Sequence, residues 1–274
     1  MVDGAGLRTV ALRGNDALRW ANDLLSAGLH RLARGQAARA LLLSPTGRIR
    51  AVVHAVRDEE GLFLLQATDH PRPVESLLAP YVLSSDVRLE DRTEDLEVIS
   101  VQDSSILGGL PAGVVTGRPS RLGAGADLLV PRERSTSLAA LLRERGAIEA
   151  SAEALERWRI LHGLPRFPVD LDEESLPAEA ALEDAIDLTK GCFLGQESVA
   201  KVRGLGHPTR VVLALRTSDR VEAGAPILSG AEEVGRVTSA TRLDGGSAVI
   251  GRVRWDARSS DLTTPGGAPL QRAD

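Results

Sequence analysis

The chain has 274 residues, 43% of them hydrophobic and 26% charged, with a formal net charge of -5 and a single cysteine, Cys192. That length holds one large domain or two to three smaller ones with real cores, and one thiol excludes an internal disulfide framework and points to a reducing compartment. The acidic balance and the 3% aromatic content exclude a general attraction to nucleic acid and leave few platforms for stacking single strands. No charged stretch leads into an apolar signal core near Met1, and no apolar run approaches the roughly 20 residues that a bilayer needs. The expected location is therefore the cytoplasm, with no membrane partner.

The first element in chain order, "NDALRWANDLLSAG", predicts an amphipathic helix with Asn15 as N-cap, Leu18, Ala21 and Leu25 at helical spacing, and Gly28 as its stop. Apolar runs at 40–43, 49–56 and 62–65, broken by the turn signals "SPTG" and "RDEEG", predict a meander of antiparallel strands. "VESLLAPYVL" reads as a short helix and "VRLEDRTEDLEVISVQ" as strand, while the glycine-rich "LGGLPAGVVTGRPSRLGAGAD" reads as loop, because it lacks the phosphate-cradling pattern. "RSTSLAALLRERG" predicts a serine-capped helix ending at Gly146, and "SAEALERWRILHGL" another, with Leu155, Trp158 and Leu161 on one face. From Val211 onward, short strands separated by Gly, Asp and Pro turns predict a small antiparallel barrel or sandwich, and "RGLGHPTR" supplies the boundary before it. The expected class is α+β with an all-β tail, divided into residues 1–206 and 207–274.

The segment "KGCFLGQE", Lys190 to Glu197, places the one cysteine between two glycines and beside one of only two lysines. Gly191 and Gly195 permit positive φ on either side of Cys192 and Phe193, which fits a tight loop, and "QESVAKV" can start a helix after Gly195. A thiol between an ammonium and a helix N-terminus is a candidate reactive group; a small half-buried residue in a packed turn is the alternative. Cysteine-hydrolase chemistry lacks a base, since His207 has only a Gly-Pro loop to recommend it. An iron–sulfur cluster needs about four thiolates, and His30, His54, His70, His162 and His207 show no ligand spacing, so no metal site is predicted.

Read together with "WRILHGLPR" and "LPAEAAL" upstream, "KGCFLGQE" resembles the K-G-C-[FY]-x-G-Q-E signature of the YgfZ branch of the folate-binding family related to the glycine-cleavage T-protein. Lys190, Gly191, Cys192, Phe193, Gly195, Gln196 and Glu197 match its fixed positions. The likeness runs along the whole chain, from the "LRGNDALRWANDLL" helix through the "LLLSPTGRIRAVV" hairpin to "EVGRVTSA".

The resemblance implies a folate-binding domain of two α+β subdomains followed by an antiparallel barrel, arranged as a ring around a central channel that binds tetrahydrofolate. It places Glu179 where the family has a pterin-binding glutamate. A carboxylate has two acceptors for the adjacent N3–H and 2-amino donors of a pterin. It places Arg210 where the T-protein directs a basic residue at the anionic folate tail. Cys192 and Lys190 are the candidate catalytic pair. The T-protein carries an acidic pair in its hairpin, where this chain has Arg50, Ala51 and Val52, so glycine-cleavage chemistry lacks its main polar assistant. The expected function is that of a monomeric, cytoplasmic tetrahydrofolate-binding protein supporting iron–sulfur cluster assembly or repair, with iron–sulfur clients or carriers as partners. Folate-dependent aminomethyl or one-carbon transfer, and a non-catalytic scaffold for iron–sulfur proteins, remain the alternatives.

Overall fold

A computed structural model describes residues 1–3, 6–180 and 182–273; Ala181 of the "LPAEAAL" loop lies outside the described residues. Two compact units emerge, the first made of residues 1–45, 50–151 and 184–196, the second of 46–49, 152–183 and 197–274.

The first unit contains β1 (Val2–Asp3), β2 (Leu7–Arg13), α1 (Ala17–Leu24), β3 (Ala37–Leu43), β4 (Ile49–Arg57), β5 (Gly61–Ala67), α2 (Val74–Leu78), β6 (Arg88–Asp91), β7 (Leu96–Val101), β8 (Val115–Gly117), β9 (Ala126–Pro131) and α3 (Arg132–Glu144). One sheet has the strand order β3-β4-β5-β2-β6 and the other β1-β7-β9-β8. Successive strand residues face opposite sides, and both sides of β2 are buried: Val10 and Leu12 pack with Ala21 and Leu25 of the α1 region, while Ala11 joins Val56, Phe63, Val98 and Leu129 between the sheets. The far side of the second sheet buries Ile99, Leu128 and Val130 against Leu138 and Leu142 of α3. The layers are thus helix, sheet, sheet, helix.

The second unit contains α4 (Ala152–Leu161), α5 (Gln196–Leu205) and the strands β10 (Arg210–Thr217), β11 (Pro226–Ser229), β12 (Glu232–Leu243), β13 (Gly246–Arg254) and β14 (Gln271–Arg272). These strands form one antiparallel sheet ordered β11-β12-β13-β10-β14, an open half-barrel around Leu215, Ile227, Val237, Val249 and Val253.

Several local expectations need correction. The stretch read as loop, residues 107–127, contains β8 and the start of β9, and α1 ends at Leu24, short of Gly28. Asn15 does not cap α1: the N-cap is Asp16 and makes no side-chain cap, while the Asn15 amide donates to Asp86 at 2.8 Å. Helix α3 starts at Arg132, so Ser135 lies inside it and its hydroxyl donates to the Arg132 carbonyl at 2.9 Å instead of capping. Gly195 adopts positive φ (81°), but Gly191 is not among the positive-φ residues, so the cysteine loop turns at one glycine only.

Candidate functional site

The residues singled out from the sequence fall into two groups, Glu179 and Arg210 in the second unit and the cysteine motif from Lys190 to Gln196 in the first.

Glu179 closes a 3-10 turn, Pro177–Glu179, in the long connection after α4. Two aspartates fix that connection to the half-barrel. A register shift between Val237 and Ser239 makes a bulge in β12, so two consecutive hydroxyls, which a regular strand would send to opposite faces, both reach one carboxylate. Thr238 Oγ1 and Ser239 Oγ donate to Asp170 Oδ1 at 2.5 and 2.7 Å, and Arg159 of α4 donates to Asp170 Oδ2 at 2.6 Å. Asp172 forms the second anchor, accepting from Arg252 Nη1 of β13 at 2.6 Å and from Nη2 at 3.4 Å.

Glu179 as a residue is only 4% exposed. Its contacts are long: Thr209 Oγ1 donates to Oε1 at 3.4 Å and Arg252 Nη2 to Oε2 at 3.3 Å. Arg252 Nε, also buried, has no hydrogen-bond partner. Partial burial works against the Asp172 anion, yet the Arg252 guanidinium and the Ser175 hydroxyl hold it below the usual carboxylate range. Burial likewise opposes the Arg252 cation, and Asp172 and then Glu179 raise it above its ordinary value. The arrangement is a buried anionic acceptor with a nearby balancing cation and unspent hydrogen-bonding capacity, suited to a neutral ligand that offers adjacent donors. Arg210 begins β10 opposite Arg254 and is exposed. Asp172 and Arg252 escape sequence reading because they are 80 residues apart, and Thr209 because it lies 30 residues from Glu179; such partners are set by the fold and not by local spacing.

In the cysteine motif, Lys190 is buried and its ammonium donates to the carbonyls of Asn22, Leu25 and Ala27. Those carbonyls lie at and just beyond the end of α1, where a helix leaves carbonyls unsatisfied and its dipole favours a cation. Burial pulls Lys190 down to about 8, with Asp23 and Asp187 working to raise it. Phe193 is also buried, and the Lys190 ammonium lies 5.1 Å from its ring centroid. Gly191 and Cys192 point the other way and are exposed. Gln196 donates its backbone N–H to the Phe193 carbonyl at 3.2 Å as α5 begins, and Glu197 pairs with Lys201 at 2.8 Å. The motif is therefore an anchored turn that presents a thiol, with its lysine committed to the core. On β4, Ala51 is buried and Arg50 and Val52 are half-buried, so no acid stands on that stretch of the hairpin. Among the described residues no cluster of His, Cys, Asp or Glu has metal-binding geometry, and no helix is long and apolar enough to cross a membrane.

The chain is 26% identical over 244 residues to the mitochondrial iron-sulfur cluster assembly factor IBA57 homolog of Cryptococcus neoformans, covering 75% of this chain and 63% of that protein. It is 28% identical over 268 residues to the aminomethyltransferase of Rubrobacter xylanophilus, covering 88% of this chain and 72% of the relative. The crystal structure of the glycine cleavage system aminomethyltransferase T from Bartonella henselae superposes with a TM-score of 0.81 at 19% identity, over 98% of this chain and 83% of the other. The chain is a homologue of IBA57 and of the aminomethyltransferases. This IBA57- and aminomethyltransferase-like chain has the aminomethyltransferase fold. It spans just under two thirds of the length of the IBA57 homolog and of a chloroplastic Arabidopsis thaliana relative, at 63% and 64%. No family model matches it.

Proposed function

We propose that this protein binds tetrahydrofolate in the manner of the YgfZ branch and supports the assembly or repair of iron–sulfur clusters in other proteins. The observation that carries the reading is the Glu179 carboxylate, buried yet contacted only at 3.3 and 3.4 Å. A buried anion is costly unless its lone pairs are used, and the N3–H and 2-amino group of a pterin would use them as two parallel charge-assisted bonds. The homology to an IBA57 assembly factor supports the iron–sulfur side. Folate, when bound, would supply a one-carbon acceptor nitrogen; Glu179 would orient the pterin, Arg210 would meet the anionic tail, and the exposed Cys192 would act on a partner or adduct.

Arg50, Ala51 and Val52 on β4 favour folate binding without aminomethyl transfer. The division at residues 206 and 207, the ring around a folate channel, the cytoplasmic location and the monomeric state belong to this proposal and rest on the resemblance and the composition. The test is calorimetric titration with 5-formyl-tetrahydrofolate. Glu179→Gln replaces one acceptor with a donor and should weaken binding by about 1.5–3 kcal/mol, the range for hydrogen bonds to charged groups. Equal affinity in the two proteins would remove Glu179 from the site.

A further inference from the structure

Arg252 divides its guanidinium unequally between two acids. Its short bond, 2.6 Å, goes to Asp172 and is backed by a second contact at 3.4 Å, whereas Glu179 receives only the 3.3 Å contact from Nη2. The Asp172 side chain is half exposed and that of Glu179 is 5% exposed. An arginine left to itself forks onto the more buried carboxylate, where the field is less screened. Asp172 prevents this. It is itself held in place, since Ser175 Oγ and the Glu174 N–H donate to its Oδ1 at 2.9 and 3.0 Å.

We propose that Asp172 and Arg252 are positioning residues of the ligand site, with Asp172 restraining Arg252 so that it balances the Glu179 charge while leaving the Glu179 oxygens free for two donors of the ligand. Two consequences follow, both acting through Glu179. Without Arg252, the buried Glu179 carboxylate loses the cation that balances it, and an uncompensated buried charge turns toward whatever donors remain instead of presenting both oxygens to the ligand. Without Asp172, Arg252 is released to close on Glu179 as a bidentate partner and competes with the ligand for the same lone pairs. Removing either residue should therefore weaken the ligand, although one removes a cation and the other an anion. A site governed by net charge alone would respond in opposite directions.

The inference rests on the assignment of Glu179 to the ligand, and the experiment separates the two. The folded full chain, in Arg252→Met and Asp172→Asn forms, is titrated with 5-formyl-tetrahydrofolate and with para-aminobenzoyl-glutamate, which lacks the pterin. Each variant is made with Glu179 intact and in the Glu179→Gln background. In the Glu179 background each substitution should weaken the folate at least about fivefold, within the coupling expected for contacting residues. In the Glu179→Gln background each should change it less than twofold, and the fragment should respond to neither. Equal losses in both backgrounds, an equal loss for the fragment, or tighter folate binding by Asp172→Asn would overturn the positioning role. If Glu179→Gln alone leaves folate binding unchanged, the assignment of the site itself fails. Asp172→Asn is nearly isosteric and lies on a half-exposed side chain, so it decides the matter even if Arg252→Met does not fold.

Discussion

Lys190→Met tests whether the motif lysine is part of the core or part of the chemistry. The substitution keeps the length of the apolar stem and deletes three charge-assisted bonds to the carbonyls of Asn22, Leu25 and Ala27. The Ala27 carbonyl keeps the Leu29 N–H at 2.9 Å, so two buried carbonyls, of Asn22 and Leu25, are left without a donor at about 1–3 kcal/mol each, a gross loss of roughly 2–6 kcal/mol. Against it stands the cost of burying an ammonium, several kcal/mol, which the variant no longer bears. The net expectation is a destabilisation of about 1–3 kcal/mol. With a urea m-value of about 2 kcal/mol/M, typical of a unit this size, the midpoint should fall by about 0.5–1.5 M. Trp20, in α1 and buried at 8% exposure, reports on this unit. Its fluorescence can be followed alone once Trp158 and Trp255 are replaced by Phe. In the native state, the alkylation rate of Cys192 should stay within about twofold of the parent, because the ammonium points into the core and the thiol outward. A midpoint shift below about 0.3 M, together with a tenfold slower alkylation, would show that the lysine serves the thiol and that its backbone contacts are incidental.

Lys190 also predicts a pH dependence. Its folded value of about 8 lies below the ordinary lysine value of about 10.4, so between those limits the unfolded chain holds a proton that the folded chain has lost, and stability from this group rises with pH across that window. Urea midpoints from pH 7.5 to 10.5 should show this rise in the parent and lack it in Lys190→Met. Cys192→Ser should leave 5-formyl-tetrahydrofolate affinity within twofold, yet lower iron–sulfur enzyme activity in cells lacking the native protein; full complementation would reduce the cysteine to a turn residue. Given aminomethylated carrier protein, the chain should release no methylene-tetrahydrofolate above the uncatalysed background, and detectable catalysis would restore the transferase reading over folate binding alone.

Much of the fold was legible in the sequence because its signals are local. The strand runs of the meander, of β10 and of β13 stand where apolar residues cluster between turn signals, and α4 and α5 stand where the periodicity and the glycine placed them. Helix starts were read less well, since Asn15 and Ser135 found better partners in Asp86 and in a preceding carbonyl. The character of the cysteine motif divides in the same way. Residue type allows positive φ at both of its glycines and only Gly195 takes it, while the exposed thiol is one of the two readings the sequence leaves open.

What only the tertiary structure decided is where the charges go. Lys190 sits two residues from Cys192, which suggested a partnership, but its ammonium donates to carbonyls at and just beyond the end of α1, more than 160 residues away in sequence. Glu179 was identified from its surroundings in sequence, whereas its loose bonding and its restrained neighbour Arg252 depend on the registry of β13 against a connection that the β12 bulge and Asp170 hold in place. Hydrophobic periodicity is a property of consecutive residues and survives in the sequence. Pairing between buried charges depends on distances set by packing, and a sequence carries those only through the fold it builds.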